Sequence, residues 1–163
     1  MRAQEYSLPA FIRFYIYGIQ GFCDEIVFTS LLDYYNTGEK ALKGHSAISS
    51  FFIYGSCSFL VEQLYVALYY KYGIRWYIRM PLYVCIAYFW EFSCGMLLRQ
   101  FDACPWDYSH YNYNVMGLIT LEYAPGWLFL AWCQDLMADY LLRIKVAPQP
   151  LIANSMNTEM KQM

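Results

Sequence analysis

Residues 47–70 read AISSFFIYGSCSFLVEQLYVALYY, with one acid, Glu62, and no Lys or Arg. At about 1.5 Å per residue, a helix of that length exceeds the roughly 30 Å of a bilayer's hydrocarbon layer. Three more runs resemble it, at residues 11–34, 80–98 and 115 to about 136. Breakers separate them: Asn36, Gly38 and Gly44 after the first, and Gly73 after the second. Pro81 is tolerable near the first turn of the third run, whereas Pro125 inside the fourth predicts a kink. The expected fold is therefore an all-α membrane protein with four transmembrane helices. Residues 11–146 form the membrane domain, and residues 1–10 and 147–163 form tails.

Composition agrees with this reading. The chain is 59% hydrophobic and 21% aromatic but only 15% charged, against roughly 25% charged in an ordinary soluble domain. Eighteen of the aromatics are Tyr, which favours a boundary between oil and water. The net charge of −2, from 11 basic and 13 acidic residues without a basic cluster, excludes nucleic acid as a partner. Cys23, Cys57, Cys85, Cys94 and Cys133 lie inside apolar runs and only Cys104 sits in a connection, so the cysteines do not read as a disulfide framework. The first apolar run holds Arg13, Asp24 and Glu25 and lacks a small-residue cleavage site, so no signal peptide is expected.

Orientation follows from the basic residues. Arg2, Arg13, Lys71, Arg75, Arg79, Arg143, Lys145 and Lys161 fall on one side of the four runs, and Lys40, Lys43 and Arg99 on the other. The positive-inside rule puts both tails and the second connection in the cytoplasm.

Each run carries a glutamate: Glu25, Glu62, Glu91 and Glu122. An acid at mid-bilayer costs roughly 2.5–3.5 kcal/mol, so the four must face one another, water or polar groups. With no Lys or Arg deep in a run, ion pairing is expected only near the ends, where Arg99 would reach the outer acids. Glu62 and Glu91 fall nearer the cytoplasm, and would be protonated or hydrogen-bonded; Glu25 and Glu122 fall nearer the outside. Asp24, Asp135 and Asp139 read as flanking residues. Gly18, Gly21, Gly55, Ser58, Gly95 and Gly126 are the small residues expected to let helices approach closely. Two echoes link the runs. Tyr17-Gly18-x-x-Gly21-x-x-x-Glu25 recurs as Tyr54-Gly55-x-x-Ser58-x-x-x-Glu62, and Glu91-Phe92-x-x-Gly95 as Glu122-Tyr123-x-x-Gly126. Neighbouring spans run in opposite directions, so a genuine relation would be an inverted repeat.

Residues 100–114, QFDACPWDYSHYNYN, combine turn formers with Trp and Tyr, which predicts an aromatic interfacial loop between the third and fourth helices. Its Cys104, Asp107 and His110 make at most a partial metal set, and no second ligand cluster accompanies it. His45 and His110 both lie in connections, which disfavours di-iron, Ser-His-Asp and Cys-His chemistry. There is no Gly-x-x-x-x-Gly-Lys loop. The expectation is a non-enzyme without metal or cofactor, whose partners are the lipid bilayer and a second copy or larger membrane complex. Two readings of the glutamates stay open: a proton or cation relay, or hydrogen bonds that only fix helix packing.

Leu98-Arg99-Gln100-Phe101, the motif Cys104-Pro105-Trp106-Asp107-Tyr108-Ser109 and the run from Met116 to Ala124 resemble the transmembrane protein 229 family. Phe52-Ile53-Tyr54-Gly55, Glu62, Trp90-Glu91-Phe92 and Glu25 with Phe28-Thr29 add to the likeness. The resemblance implies a small multi-pass membrane protein. A more distant bacterial branch, the CmpB-like ABC-transporter permeases, shares the Trp106-Asp107-Tyr108-Ser109 element and implies a transporter-like role. No functional residue carries over from either.

Overall fold

The computed structural model describes residues 6–146. The predicted tail at residues 147–163 lies outside them, as do the first five residues of the other tail. The described residues are mostly helical, with four long helices: α1 (Ala10–Thr37), α2 (Ile48–Tyr65), α3 (Trp76–Arg99) and α4 (Ala124–Arg143). A π-helical turn, Val66–Lys71, prolongs α2. Short strands β1 (Tyr6–Ser7) and β4 (Lys145–Val146) pair antiparallel, which ties the two ends of the bundle's chain together. Strands β2 (Asn114–Val115) and β3 (Ile119–Thr120) form a hairpin between α3 and α4, followed by a 3-10 turn at Leu121–Tyr123. The helices alternate in direction. The start of α1, the end of α2, the start of α3 and the end of α4 therefore share one end of the bundle, called here the terminal end.

The fourth helix departs from expectation. The run at residues 115–136 was expected to be one kinked helix, but residues 115–123 are the hairpin and 3-10 turn. The helix proper is shifted toward the C-terminus. Pro125 occupies the first positions of α4, where its missing N–H would have had no partner in any case, so no kink follows. Helix α3 starts a turn earlier than expected, placing Pro81 inside it.

Among the described residues, two segments, Ile48–Lys71 and Trp76–Arg99, are long and apolar enough by composition to cross a membrane. Helix α1 is long enough but carries Arg13, Asp24, Glu25 and Asp33, and α4 carries Asp135, Asp139 and Arg143.

Helix α1 packs along α2 through small residues. Gly18 faces Phe51, Gly55 lies against Gly18 and Phe14, and Gly21 abuts Tyr54. Gly18 meets Gly55 in an antiparallel pair, so each motif's tyrosine side chain lies on the side of the crossing toward which the other's glutamate, seven residues past its glycine, is placed. Tyr17 bonds Glu62, and Tyr54 lines one recess with Glu25. The first echo thus puts its two leading glycines in contact. The second does not: Glu122 precedes α4, and a Cβ at Gly126 would meet nothing within 4 Å, so the close approach expected there is absent. Gly95 does pack closely, against Leu118 and Trp106 of the loop rather than against a helix.

A Cβ at Gly21 would sit 2.2 Å from Tyr54 Cβ, a clash no rotamer change relieves. Gly21→Ala is expected to push α1 from α2 and cost about 1–3 kcal/mol. Gly126→Ala should be neutral or slightly stabilising, since alanine is the better helix former. Thermal unfolding in detergent compares the two; equal effects would contradict the packing described.

Candidate functional site

The buried polar groups concentrate at two levels. At the terminal end, Glu62 on α2 is fully buried. Its carboxylate accepts from Arg13 Nε at 2.8 Å and Nη2 at 3.0 Å, from Tyr17 Oη at 2.8 Å and from Gln63 Nε2 at 3.0 Å. Arg13 also donates to the Leu8 carbonyl. This corrects the expectation that Glu62 lacks a cationic partner: Arg13, one turn into α1, reaches across the antiparallel pair.

A second buried pair lies beside it. Arg79 on α3 donates through Nε to Asp135 Oδ1 at 2.9 Å and through Nη2 to Oδ2, and Tyr83 Oη donates to Oδ1 at 3.0 Å. Arg79 is 4% exposed and Asp135 7%. The guanidinium lies over the rings of Tyr65 and Tyr69, at 5.3 and 5.2 Å. The π-helical turn stacks Tyr69 on Tyr65 and sets Tyr70 edge-on to the same ring. Asp139 accepts from Tyr65 Oη at 2.7 Å and pairs with Arg143. Asp135, expected to be a flanking residue, is thus part of the core. Pro125 at the start of α4 places Asp135 deep inside that helix.

The other level is midway along the bundle. Glu91 on α3 is 8% exposed; Oε1 accepts from Tyr108 Oη at 3.0 Å, while Oε2 has no partner among the described residues. Glu25 accepts from Ser46 Oγ at 2.6 Å, and Asp24 is touched by Gln20 Nε2 at 3.4 Å. Glu91 therefore shares a level with Glu25, not with Glu62 as expected. Glu122 is outside the helices, bonded by the Thr120 hydroxyl and by the Tyr113 N–H at 3.1 Å. Arg99, expected to reach the outer glutamates, instead approaches Asp107 at 3.7 Å and donates to the Met116 carbonyl.

The loop motif folds back into the bundle. Trp106 Nε1 donates to the Leu118 carbonyl at 3.1 Å, the Tyr108 N–H to the Gly117 carbonyl at 2.8 Å, and Cys104 Sγ to the Trp106 carbonyl at 3.4 Å. Met116 and Gly117 turn the hairpin with positive φ at both residues, the pattern of a type I′ turn. A Cβ at Gly117 would meet Asp107 Oδ1 at 2.5 Å. Pro105 lies exposed between the two anchored residues. No group of three or more His, Cys, Asp or Glu converges on a metal position among the described residues.

Asp107 lies below the usual aspartate range because the Ser109 N–H and hydroxyl bond it, with Arg99 adding attraction. Glu122 is lowered chiefly by the Thr120 hydroxyl. A depressed carboxyl supports the fold above its unfolded pKa and withdraws that support as pH falls through its folded value. The loop should therefore loosen in acid, below about pH 4, and stay closed at neutral pH. Trp106 fluorescence would report it, and the Asp107→Asn/Glu122→Gln pair should flatten the acid transition. An unchanged transition in that variant would contradict the assignment.

Between α1 and α4 lies a cleft of about 400 Å³, floored by α2 and α3. Phe28, Leu31, Phe129 and Leu130 supply apolar wall, and Gln20, Asp24, Glu25 and Gln134 supply polar wall. A recess of about 30 Å³ adjoins it, lined in part by Glu25, Tyr54, Glu91, Trp106 and Tyr108. Phe28 packs edge-on to Tyr123 at 5.0 Å at the loop end. Of the four predicted carboxyls, the structure brings Glu25 and Glu91 together here and assigns Glu62 to a closed ion pair. The arrangement offers a half-apolar, acid-lined compartment of a size suited to a small ligand.

The sequence profile of the family described as "Putative ABC-transporter type IV", the CmpB family, matches residues 12–154. No solved structure matches the chain. A match over most of the length shows the relationship, and the protein belongs to this CmpB family.

Proposed function

We propose that the chain is a four-span, permease-like membrane component whose polar passage is the cleft between α1 and α4, with Glu25 and Glu91 as its working carboxyls. The cleft carries the reading, because it sets acids that are not ion-paired beside open volume while the other buried charges are paired. Four spans rather than two are supported by the outer faces. Phe11, Tyr15 and Ile19 on α1 and Leu128, Trp132 and Leu136 on α4 are exposed outside the cleft, as are Phe52 and Leu60 on α2 and Leu82, Phe89 and Leu97 on α3. Aqueous exposure of so much apolar surface on every helix would be unfavourable by roughly 25 cal/mol per Å², whereas lipid accepts it. Tyr69, Tyr70, Tyr72, Trp76 and Tyr77 ring the terminal end and Tyr34, Tyr35, Phe101 and Tyr113 the opposite end, as interfacial belts do. The charges of α1 and α4 that depress their hydropathy include Arg13 and Asp135, whose partners lie inside the bundle.

Both tails are assigned to the cytoplasm, on the basic-residue asymmetry and on the β1–β4 pairing that holds the described ends together. The run from Leu98 to Ala124 supports reading the chain as similar to the transmembrane protein 229 proteins. A second copy or a larger membrane complex is its expected partner, and no enzymatic role is assigned.

A packing-only scaffold is the second reading, favoured by the saturation of Glu62. Proteoliposomes loaded with a pH-sensitive dye or with radiolabelled rubidium separate the two. Under the permease reading wild type passes protons or rubidium, and Glu91→Gln or Glu25→Gln abolishes the flux with little change in melting temperature. Wild type that passes neither, or variants that all misfold, would favour the scaffold. Labelling of either tail by a membrane-impermeant reagent from outside intact cells would overturn the orientation.

A further inference from the structure

We propose that the cleft between α1 and α4 is a binding site for a lipophilic organic monocation, its charge beside Glu25 and Glu91 and its apolar body against the cleft wall. This deepens the permease-like reading and rests on it for the choice of site.

The first argument is charge. Asp24 and Glu25 line the cleft and Glu91 its recess, and among the described residues no Lys, Arg or His lines either. The half-buried Arg13 and the buried Arg79 are held by Glu62 and Asp135. An anion would meet only like charge. The second argument is the orphaned polar atoms. Glu91 is more than nine-tenths buried and lines the recess with Oε2 unpartnered, and the Oε1 of Gln20, on the cleft wall, is also without a donor. Leaving a buried acceptor unsatisfied is costly, more so for a carboxylate, and a cation in the recess mouth would relieve that cost.

The third argument is the wall. Tyr54, Tyr108 and Trp127 border both compartments, and Tyr123 and Phe129 the larger one. Aromatic rings attract cations that keep little hydration, which suits a quaternary phosphonium or ammonium better than a hydrated inorganic ion. A metal ion would leave the apolar volume empty and would find too few oxygen ligands. A neutral apolar guest would leave Glu91 unanswered. Charge, orphaned acceptor and aromatic wall together select an apolar body with one positive charge.

Tetraphenylphosphonium and tetraphenylborate, similar in shape and opposite in sign, test this on the purified full chain in dodecyl maltoside. Isothermal titration should show saturable binding of the phosphonium at one site and none of the borate. Glu91→Gln should weaken phosphonium binding about tenfold or more. Glu25→Gln and Trp127→Leu provide the same readout should Glu91→Gln fail to fold. Equal binding of both ions, no saturable phosphonium binding by folded wild type, or affinity unmoved by the folded variants would overturn the proposal. Binding in detergent is independent of passage. Phosphonium binding without any flux in proteoliposomes would sustain this site and sink the permease reading, whereas rubidium or proton flux without phosphonium binding would do the reverse.

Discussion

Arg13→Ala is expected to lower the unfolding free energy in detergent by about 3–5 kcal/mol, far more than its place near the start of α1 would suggest. Glu62 is fully buried, and Arg13 supplies two of the four hydrogen bonds that its carboxylate accepts. Truncation removes the countercharge and leaves a carboxylate held only by Tyr17 and Gln63 in a low-dielectric site. The cost is that of an uncompensated buried charge, not of one lost contact. Neutralising both partners should recover most of it, because a buried ion pair is worth little against a well-packed neutral replacement. The Arg13→Met/Glu62→Gln variant keeps an acceptor for Tyr17 and should unfold within about 1–2 kcal/mol of wild type. Chemical unfolding followed by circular dichroism measures both. A single variant that costs under about 1 kcal/mol would mean that the pair is open to water.

Asp135→Ala should cost a similar 3–5 kcal/mol, since it strands the Arg79 guanidinium and frees the Tyr83 hydroxyl together. Arg79→Lys separates charge from geometry. Lysine keeps the charge but loses the two-pronged grip on Asp135 and the planar contact with Tyr65 and Tyr69, so a loss of about 1–3 kcal/mol is expected. If Arg79→Lys matched wild type, the guanidinium's fork and its aromatic clamp would contribute nothing. Thermal melts of the two variants, beside Arg143→Ala as an exposed control, make the comparison; the control should change stability by well under 1 kcal/mol.

Apolar run length located α1, α2 and α3 in the sequence to within a few residues, because hydropathy and glycine breakers dominate where a helix begins and ends. The fourth run misled because Val115, Met116, Leu118, Ile119 and Leu121 are as apolar in a hairpin as in a helix. Pro125 held the missing signal, since a proline suits a helix start better than an interior. The ion pairs were not legible. Arg13 and Glu62 are 49 residues apart and Arg79 and Asp135 are 56 apart, and which residues meet depends on how each helix is rotated about its axis. The Tyr-Gly echo did encode one such contact, because two copies of one motif crossing at their glycines bring tyrosine to glutamate. The cleft had no local signature, since it is a space left between helices distant in sequence.

Nitroxide spin labels placed singly at Ile19 on α1 and at Trp132 on α4, in chain reconstituted into liposomes, test most directly whether the weakly apolar helices cross the bilayer with their charges turned inward. Collision with oxygen and shielding from a water-soluble nickel chelate are predicted at both positions. Chelate access at both, as strong as at a label on exposed Lys40, would contradict the bundle-in-membrane account.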